Sequence, residues 1–157
     1  MSFFSSRPIL TPSPIDTERF GKPRAALMVH RHLLGQPNFL LISSRRDAGR
    51  LTLPGGKIDP DETALQTAVR ETQEEAGVLT EDYHPLGSYL HHKQSGRIHP
   101  TQTFLARFVG QTPDHEPRDV HWLTLRELAD TQCEVRDPIR EIIELAAEIL
   151  PAYTAAA

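Results

Sequence analysis

The chain has 157 residues, 24% of them charged, with a formal net charge of −4 at neutral pH and a single cysteine. That length suits one domain with a substantial core, and the acidic balance argues against a general nucleic-acid binder, which is usually basic. The lone Cys133 excludes an internal disulfide framework and fits a reducing cytoplasm; no apolar run reaches membrane-spanning length, and Met1-Ser2-Phe3-Phe4 lacks the basic start and apolar stretch of a secretory leader.

In chain order, residues 1–23 are rich in Ser and Pro, with Pro8, Pro12, Pro14 and Pro23. They predict an extended arm, ordered by packing on the domain or on a partner subunit, so a homodimer is one expectation. The domain itself is expected over 24–151, with 152–157 as a flexible tail. Ala25–His30 and Phe39–Ser44 read as buried strands separated by a Gly35-Gln36-Pro37-Asn38 turn. Leu51–Leu53 is a short strand entering Leu53-Pro54-Gly55-Gly56, where glycine's tolerance of positive φ and of close backbone approach permits a tight turn. A helix follows. Asp59 suits its cap, Pro60 its first position and Glu62 the third, while Gly77 suits a left-handed C-terminal residue. Leu65, Ala68, Val69, Thr72 and Ala76 recur at steps of three and four and form its packing face. Glu71, Glu74 and Glu75 fall on a separate sector, pointing away from the core.

Beyond the helix, Leu86–His91, Thr101–Val109 and Val120–Leu123 read as strands. Thr124-x-x-Glu127 is a capping box opening a short helix to about Ala129. The last helix is expected from Asp137-Pro138 to Leu150, with Ile139, Ile142, Ile143, Ala146 and Ile149 on its apolar stripe and Pro151 ending it. A mixed sheet sandwiched between helices follows from this order.

The chemistry concentrates at the first helix. Three carboxylates and Arg70 occupy two turns, and such a density of like charge is costly without a strong positive neighbour. Carboxylates with a backbone carbonyl near the Gly-Gly turn make a hard oxygen set suited to magnesium or manganese rather than zinc. Arg70 can pair with a glutamate and orient it, or contact phosphate bidentately. A merely solvated acidic helix would explain neither the glycine pair nor the fixed spacing.

That spacing, Gly56, Glu62, Arg70-Glu71, Glu74-Glu75, Gly77 and Val78, resembles the signature of the Nudix hydrolases at every fixed position. Thr72 departs from it where an aliphatic residue is usual; its methyl can still pack and its hydroxyl can bond back along the helix. The resemblance implies an α/β fold, the Nudix-type α/β/α sandwich with a mixed β-sheet. It implies that Glu71, Glu74 and Glu75, with the Gly56 carbonyl, hold Mg2+ or Mn2+. It also implies cleavage of a diphosphate linkage in a nucleoside diphosphate derivative or polyphosphorylated small molecule. Glu74 is the expected base for the attacking water, with Arg70 beside it in the catalytic set. Glu62 is either a structural partner or the helix cap.

Arg45 and Arg50, before the glycine pair, and Lys57, after it, are the expected substrate-binding cations. His91-His92-Lys93 and Arg97-Ile98-His99 form a second basic group. The Ser-Ser-Arg stretch and compact size resemble the diphosphoinositol polyphosphate and dinucleoside polyphosphate branch. Trp122 and Phe104 read as core rather than as base-stacking residues. The loop 111–119, with Asp114, His115 and Glu116, reads as a surface loop that could supply an alternative base. A Nudix-fold nucleotide sensor without turnover is the competing reading, which the intact acidic set disfavours. An enzyme of RNA 5′ ends is a third, disfavoured by the net charge. A membrane partner is not expected.

Overall fold

Strict alternation along two neighbouring strands divides the hydrophobic core in two. In the computed structural model, which describes residues 4–5, 20–45, 49–92, 96–130, 134–135 and 137–156, the order is β1 (Phe4–Ser5), β2 (Arg24–Leu33), β3 (Gln36–Ser43), β4 (Arg50–Thr52), β5 (Gly55–Lys57), α1 (Ala64–Ala76), β6 (Val78–His92), β7 (Ile98–Gln111), β8 (Val120–Leu123), α2 (Leu125–Asp130), β9 (Glu134–Val135) and α3 (Asp137–Ala156). Ala25, Leu27 and Val29 of β2, with Leu40 and Ile42 of β3, pack with Ala68 and Ala76 of α1. The intervening Ala26, Met28, Phe39 and Leu41 share the other cluster with Ile139, Ile142, Ile143 and Ala146 of α3. Period-two alternation sends successive side chains to opposite faces, so each strand serves both layers. Each fully buried Leu, Ile or Phe contributes on the order of 1.5–3 kcal/mol. The outcome is the expected mixed sheet between helices.

The sheet runs β1-β6-β7-β2-β3-β4-β9, with β5 also on β2 and β8 also on β3. β2 pairs parallel to β7, and β4 parallel to β9; the other pairs are antiparallel. β2 is the organising strand. Arg24–Ala26 holds β5, His30–Leu33 holds β3, and β7 runs along the other edge. Among the described residues, no helix is long and apolar enough to cross a membrane.

Several local expectations need correction. The β2–β3 hairpin turns at Leu34-Gly35, not Gly35–Asn38: both residues have positive φ (53° and 76°), and Leu33 pairs with Gln36. A two-residue turn of that kind matches the right-handed twist of the strands. Helix α1 starts at Ala64, capped by Thr63 rather than Asp59. The Thr63 side chain accepts from Gln66 N and the Gln66 side chain accepts from Thr63 N, a complete capping box. Asp59 instead closes a turn, accepting Glu62 N on its carbonyl and Asp61 N on its carboxylate. At the other end Gly77 adopts the expected left-handed conformation, φ 68° and ψ 23°. Strand β6 begins at Val78, well before Leu86, because register shifts at Leu79/Thr80, Glu81/His84 and Pro85/Gly87 break the alternation that marks a strand. Helix α3 continues through Pro151 to Ala156; proline removes one hydrogen bond of the ladder without obliging the helix to stop. β8 and the Thr124–Glu127 box stand where expected. Most of the N-terminal arm, with Arg46, Lys93 and Cys133, lies outside the described residues.

Candidate active site

The glycine pair places α1 against the sheet. The chain reverses between β4 and β5 with its bend at Pro54, but neither Gly55 nor Gly56 has positive φ; the pair forms strand β5, opposite Ala26 and Ala25. Their role is close approach. A Cβ at Gly55 would meet Ala25 O at 2.4 Å and Ala26 Cα at 2.9 Å, and one at Gly56 would meet Glu71 Cδ and Oε1 at 2.8 Å. Only glycine lets β5 lie flat on β2 while the Glu71 carboxylate comes down on it.

The acids of α1 do not share one solvated sector. Glu75 is buried, with 3% of its surface exposed, on the packing side beside Thr72 and Ala76. It lies in polar surroundings: Gly55 N donates to its Oε1 at 2.8 Å, and Arg118 Nη2 lies 2.6 Å from its Oε2. Burial pushes its carboxyl up to about 7 against the pull of these two partners, with Glu71 and Glu116 adding to the rise. Glu71 is half-buried, and burial raises it as well, opposed by Arg70 and assisted by Glu74. Glu74 has about half its side chain exposed (51%) and reaches Arg70 Nη1 at 3.1 Å. Thr72 donates from Oγ1 to Ala68 O at 2.7 Å, the expected bond back along the helix.

Arg70 ties the box together. Its Nε and Nη2 contact Glu62 at 2.9–3.1 Å, and its Nη1 reaches Glu71 and Glu74 at 3.1–3.2 Å. Glu62 is thus the counter-ion of Arg70, not a cap; it also accepts from Thr67 Oγ1 at 3.0 Å. Hydrogen bonding to Arg70 lowers the Glu62 pKa, and Glu62, then Glu74 and Glu71, hold the Arg70 guanidinium above its usual range.

An open cleft of about 660 Å³ lies over this surface, with Glu71, Glu75, Asp59, Gly55 and Gly56 on its wall. Arg45, Arg50 and Lys57, the cations expected from sequence, all line it, as do Arg70 and His91. Glu74 is not among the lining residues. Arg97 is exposed and does not line the cleft, and His99 is buried, its Nδ1 2.8 Å from Lys22 O. Phe104 is core, and Trp122 stands edge-on to Phe108 with the Arg31 guanidinium 4.0 Å above its ring. Among the described residues, no three His, Cys, Asp or Glu side chains converge as a preformed metal cage. The donor chemistry nonetheless fits a hard divalent cation. Of the carboxylates on the cleft wall, Glu71 and Glu75 are both raised by burial, and a cation there would favour their ionised forms.

Two cations escaped the sequence reading. Arg24, the first residue of β2, reaches the cleft because β5 pairs beside it. Arg118 sits in the loop 111–119, where no spacing or motif singles it out. That loop is more than a surface connection: Thr112 N donates to Gly77 O, Glu116 N to Glu74 O and Gln111 Nε2 to Ala76 O, at 2.7–3.0 Å. Glu116 thereby meets Arg118 Nε at 3.1 Å and Arg45 Nη2 at 2.6 Å. Burial would raise the Glu116 pKa, but the two arginines outweigh it and lower it. No spacing in the sequence marks this pairing, since it joins residues 71 apart.

Comparison with known proteins places these features. The NUDIX domain family model matches residues 21–145. The chain is 29% identical over 124 residues to the asymmetrical bis(5'-nucleosyl)-tetraphosphatase of Caenorhabditis elegans, covering 74% of this chain and 81% of that protein. It is 33% identical over 99 residues to the uncharacterised Nudix hydrolase NudL of Yersinia pestis, covering 60% of this chain and 47%, under half, of that protein. Among solved structures, a C. elegans Ap4A hydrolase binary complex aligns with TM-score 0.65 at 23% identity, covering 84% of this chain and 99% of that one. A NUDIX hydrolase from Nitrosomonas europaea aligns with TM-score 0.66 at 25% identity, covering 79% and 88%. With the family model spanning most of the chain and the glutamate helix lying inside it, the chain belongs to the Nudix family and is a pyrophosphohydrolase.

Proposed function

We propose that the protein is a divalent-metal-dependent hydrolase that cleaves a diphosphate linkage in a nucleoside diphosphate derivative or polyphosphorylated small molecule. The observation that carries this reading is the cleft itself, lined by Glu71 and Glu75 together with Arg24, Arg45, Arg50 and Lys57. Acids suited to a cation and cations suited to several phosphates face the same space. Similarity to a bis(5'-nucleosyl)-tetraphosphatase supports a nucleotide carrying a phosphate chain as substrate.

In this reading Glu71, Glu75 and the Gly56 carbonyl, joined by Glu74, would hold Mg2+ or Mn2+. Such an ion would supply charge neutralisation of the phosphoryl oxygens and make water a better nucleophile. Arg45, Arg50 and Lys57 bind and orient the phosphate chain. Arg70 restrains Glu71 and Glu74. Glu74, the exposed acid, takes the proton of the attacking water. A small phosphorylated partner and a reducing cytoplasmic setting belong to the same reading, as does a homodimer formed through the N-terminal arm.

The test is a panel of dinucleoside polyphosphates, nucleoside diphosphate derivatives and diphosphoinositol polyphosphates, with Mg2+ or Mn2+, scored for phosphate and nucleotide products. Metal-dependent turnover on a member of the panel is expected. Tight nucleotide binding with no turnover on any of them would replace this reading with the sensor.

A further inference from the structure

Each oxygen of the buried Glu75 carboxylate already has one fixed donor, Gly55 N on Oε1 and Arg118 Nη2 on Oε2. A carboxylate oxygen accepts at two positions, so these contacts fix the carboxylate plane and leave one acceptor position on each oxygen. Arg118 is itself held. Its side chain is only 10% exposed, its Nε bonds Glu116 Oε2, and its Nη1 approaches Ser43 O at 3.5 Å. The next residue is pinned to the end of β3: Asp119 N donates to Ser43 Oγ, and Ser43 N to Asp119 O, both at 3.0 Å. Glu116 N on Glu74 O fastens the same loop to α1. Three nitrogens of one guanidinium thus span α1, the loop and β3. Glu75, Arg118, Glu116 and Arg45 alternate in charge along this ladder.

We propose that Arg118 is a positioning residue: it locks the Glu75 carboxylate in the orientation that receives the divalent cation, and ties that orientation to the loop over the end of α1. The inference rests on the metal-dependent reading given above. Arg118 acts through Glu75 and has no need to touch the phosphate. The planar fork matters as much as the charge, because lysine offers one nitrogen on a flexible stem and cannot serve Glu75 and Glu116 in the same fixed geometry. Partners of this kind behind a metal ligand typically contribute 10–100-fold in affinity.

The experiment uses the full chain as Arg118→Met, Arg118→Lys and Arg118→Ala. Mn2+ alone is titrated without substrate and followed by electron paramagnetic resonance of the free ion; kcat and KM are measured separately. We expect the Mn2+ dissociation constant to rise about 10-fold or more in the Met and Lys variants, with kcat falling more than KM changes. Added guanidine should restore part of kcat and of Mn2+ affinity in Arg118→Ala, whose cavity admits it, and not in Arg118→Met. Mn2+ affinity and kcat within twofold of wild type in Arg118→Met would overturn the inference, whatever the melting temperature does. Should Arg118→Met not fold, the lysine variant and the guanidine response decide by the same criteria. Wild-type protein that takes up no Mn2+ would overturn the metal-dependent reading as well, whereas normal wild-type uptake with insensitive variants removes Arg118 alone.

Discussion

Replacing Gly56 by alanine should separate activity from stability, and Gly55→Ala should do the reverse. The added methyl at Gly56 meets Glu71 Cδ and Oε1 at 2.8 Å and Cγ at 3.2 Å. Comfortable carbon contacts lie near 3.5–4.0 Å, so about 1 Å of movement is required. The obstructing atoms are the far end of a flexible side chain, and Glu71 can swing away at little cost. Alanine also reduces the entropy of the unfolded chain, worth about 0.4–1 kcal/mol in favour of folding. The melting temperature should therefore stay within about 2–4 °C of wild type. A catalytic group displaced by about 1 Å costs on the order of 10²-fold in rate, and that loss is expected in kcat/KM. At Gly55 the methyl meets backbone, Ala25 O at 2.4 Å and Ala26 Cα at 2.9 Å, which cannot yield without parting β5 from β2. Overpacking of that kind costs about 1–3 kcal/mol, visible as a lower melting temperature. Calorimetric melts and initial rates on both variants check the pair. Equal destabilisation by both, or full activity in Gly56→Ala, would refute the account of the glycine pair.

Glu74→Gln should lower kcat by about 10²–10⁴-fold and leave the melt unchanged, since the side chain is half exposed; near-normal turnover would move the base to another acid, Glu116 being next in line. Thr63→Ala should cost about 1 kcal/mol through loss of the cap, read as a lower urea midpoint, whereas Asp59→Ala should cost less because Asp59 closes only a turn; the opposite order would return the helix start to Asp59. His30 is buried, with 1% exposed, and burial, then His32 and Arg107, lower its pKa from 6.5 to about 4 despite the opposing pull of Asp82. Between those values the unfolded chain binds the extra proton, so this contribution is complete above pH 6.5 and is lost as pH falls toward 4, by about 3 kcal/mol in all. Urea midpoints from pH 7 to 4.5 should show that loss in the wild type and a flatter profile in His30→Gln; identical slopes would refute it.

Much of α1 was legible because its signals are local. Gly77 closes it in the left-handed conformation that glycine favours, and the three- and four-residue recurrence of its packing face is a property of the segment itself. The start of the same helix was misread because two capping patterns overlap within five residues. Asp59-Pro60-Asp61-Glu62 is the stronger on paper, but Glu62 is engaged by Arg70 eight residues on, which leaves Thr63 and Gln66 to cap. The start of β6 was missed because its bulges erase the period-two signal.

The sequence by itself determined the family, the layered α/β architecture and the clustering of three glutamates on one helix, since spacing along one helix and alternation along a strand are properties of the chain alone. Tertiary structure decided what each acid experiences. Glu75 is buried and Glu74 exposed although they are neighbours, because the sheet, β5 and the 111–119 loop cover one side of α1 and leave the other in water. It also brought Arg24 and Arg118 to the cleft. Burial and the partners it admits depend on which distant segments arrive at a surface, and nothing in the local pattern of residues encodes that.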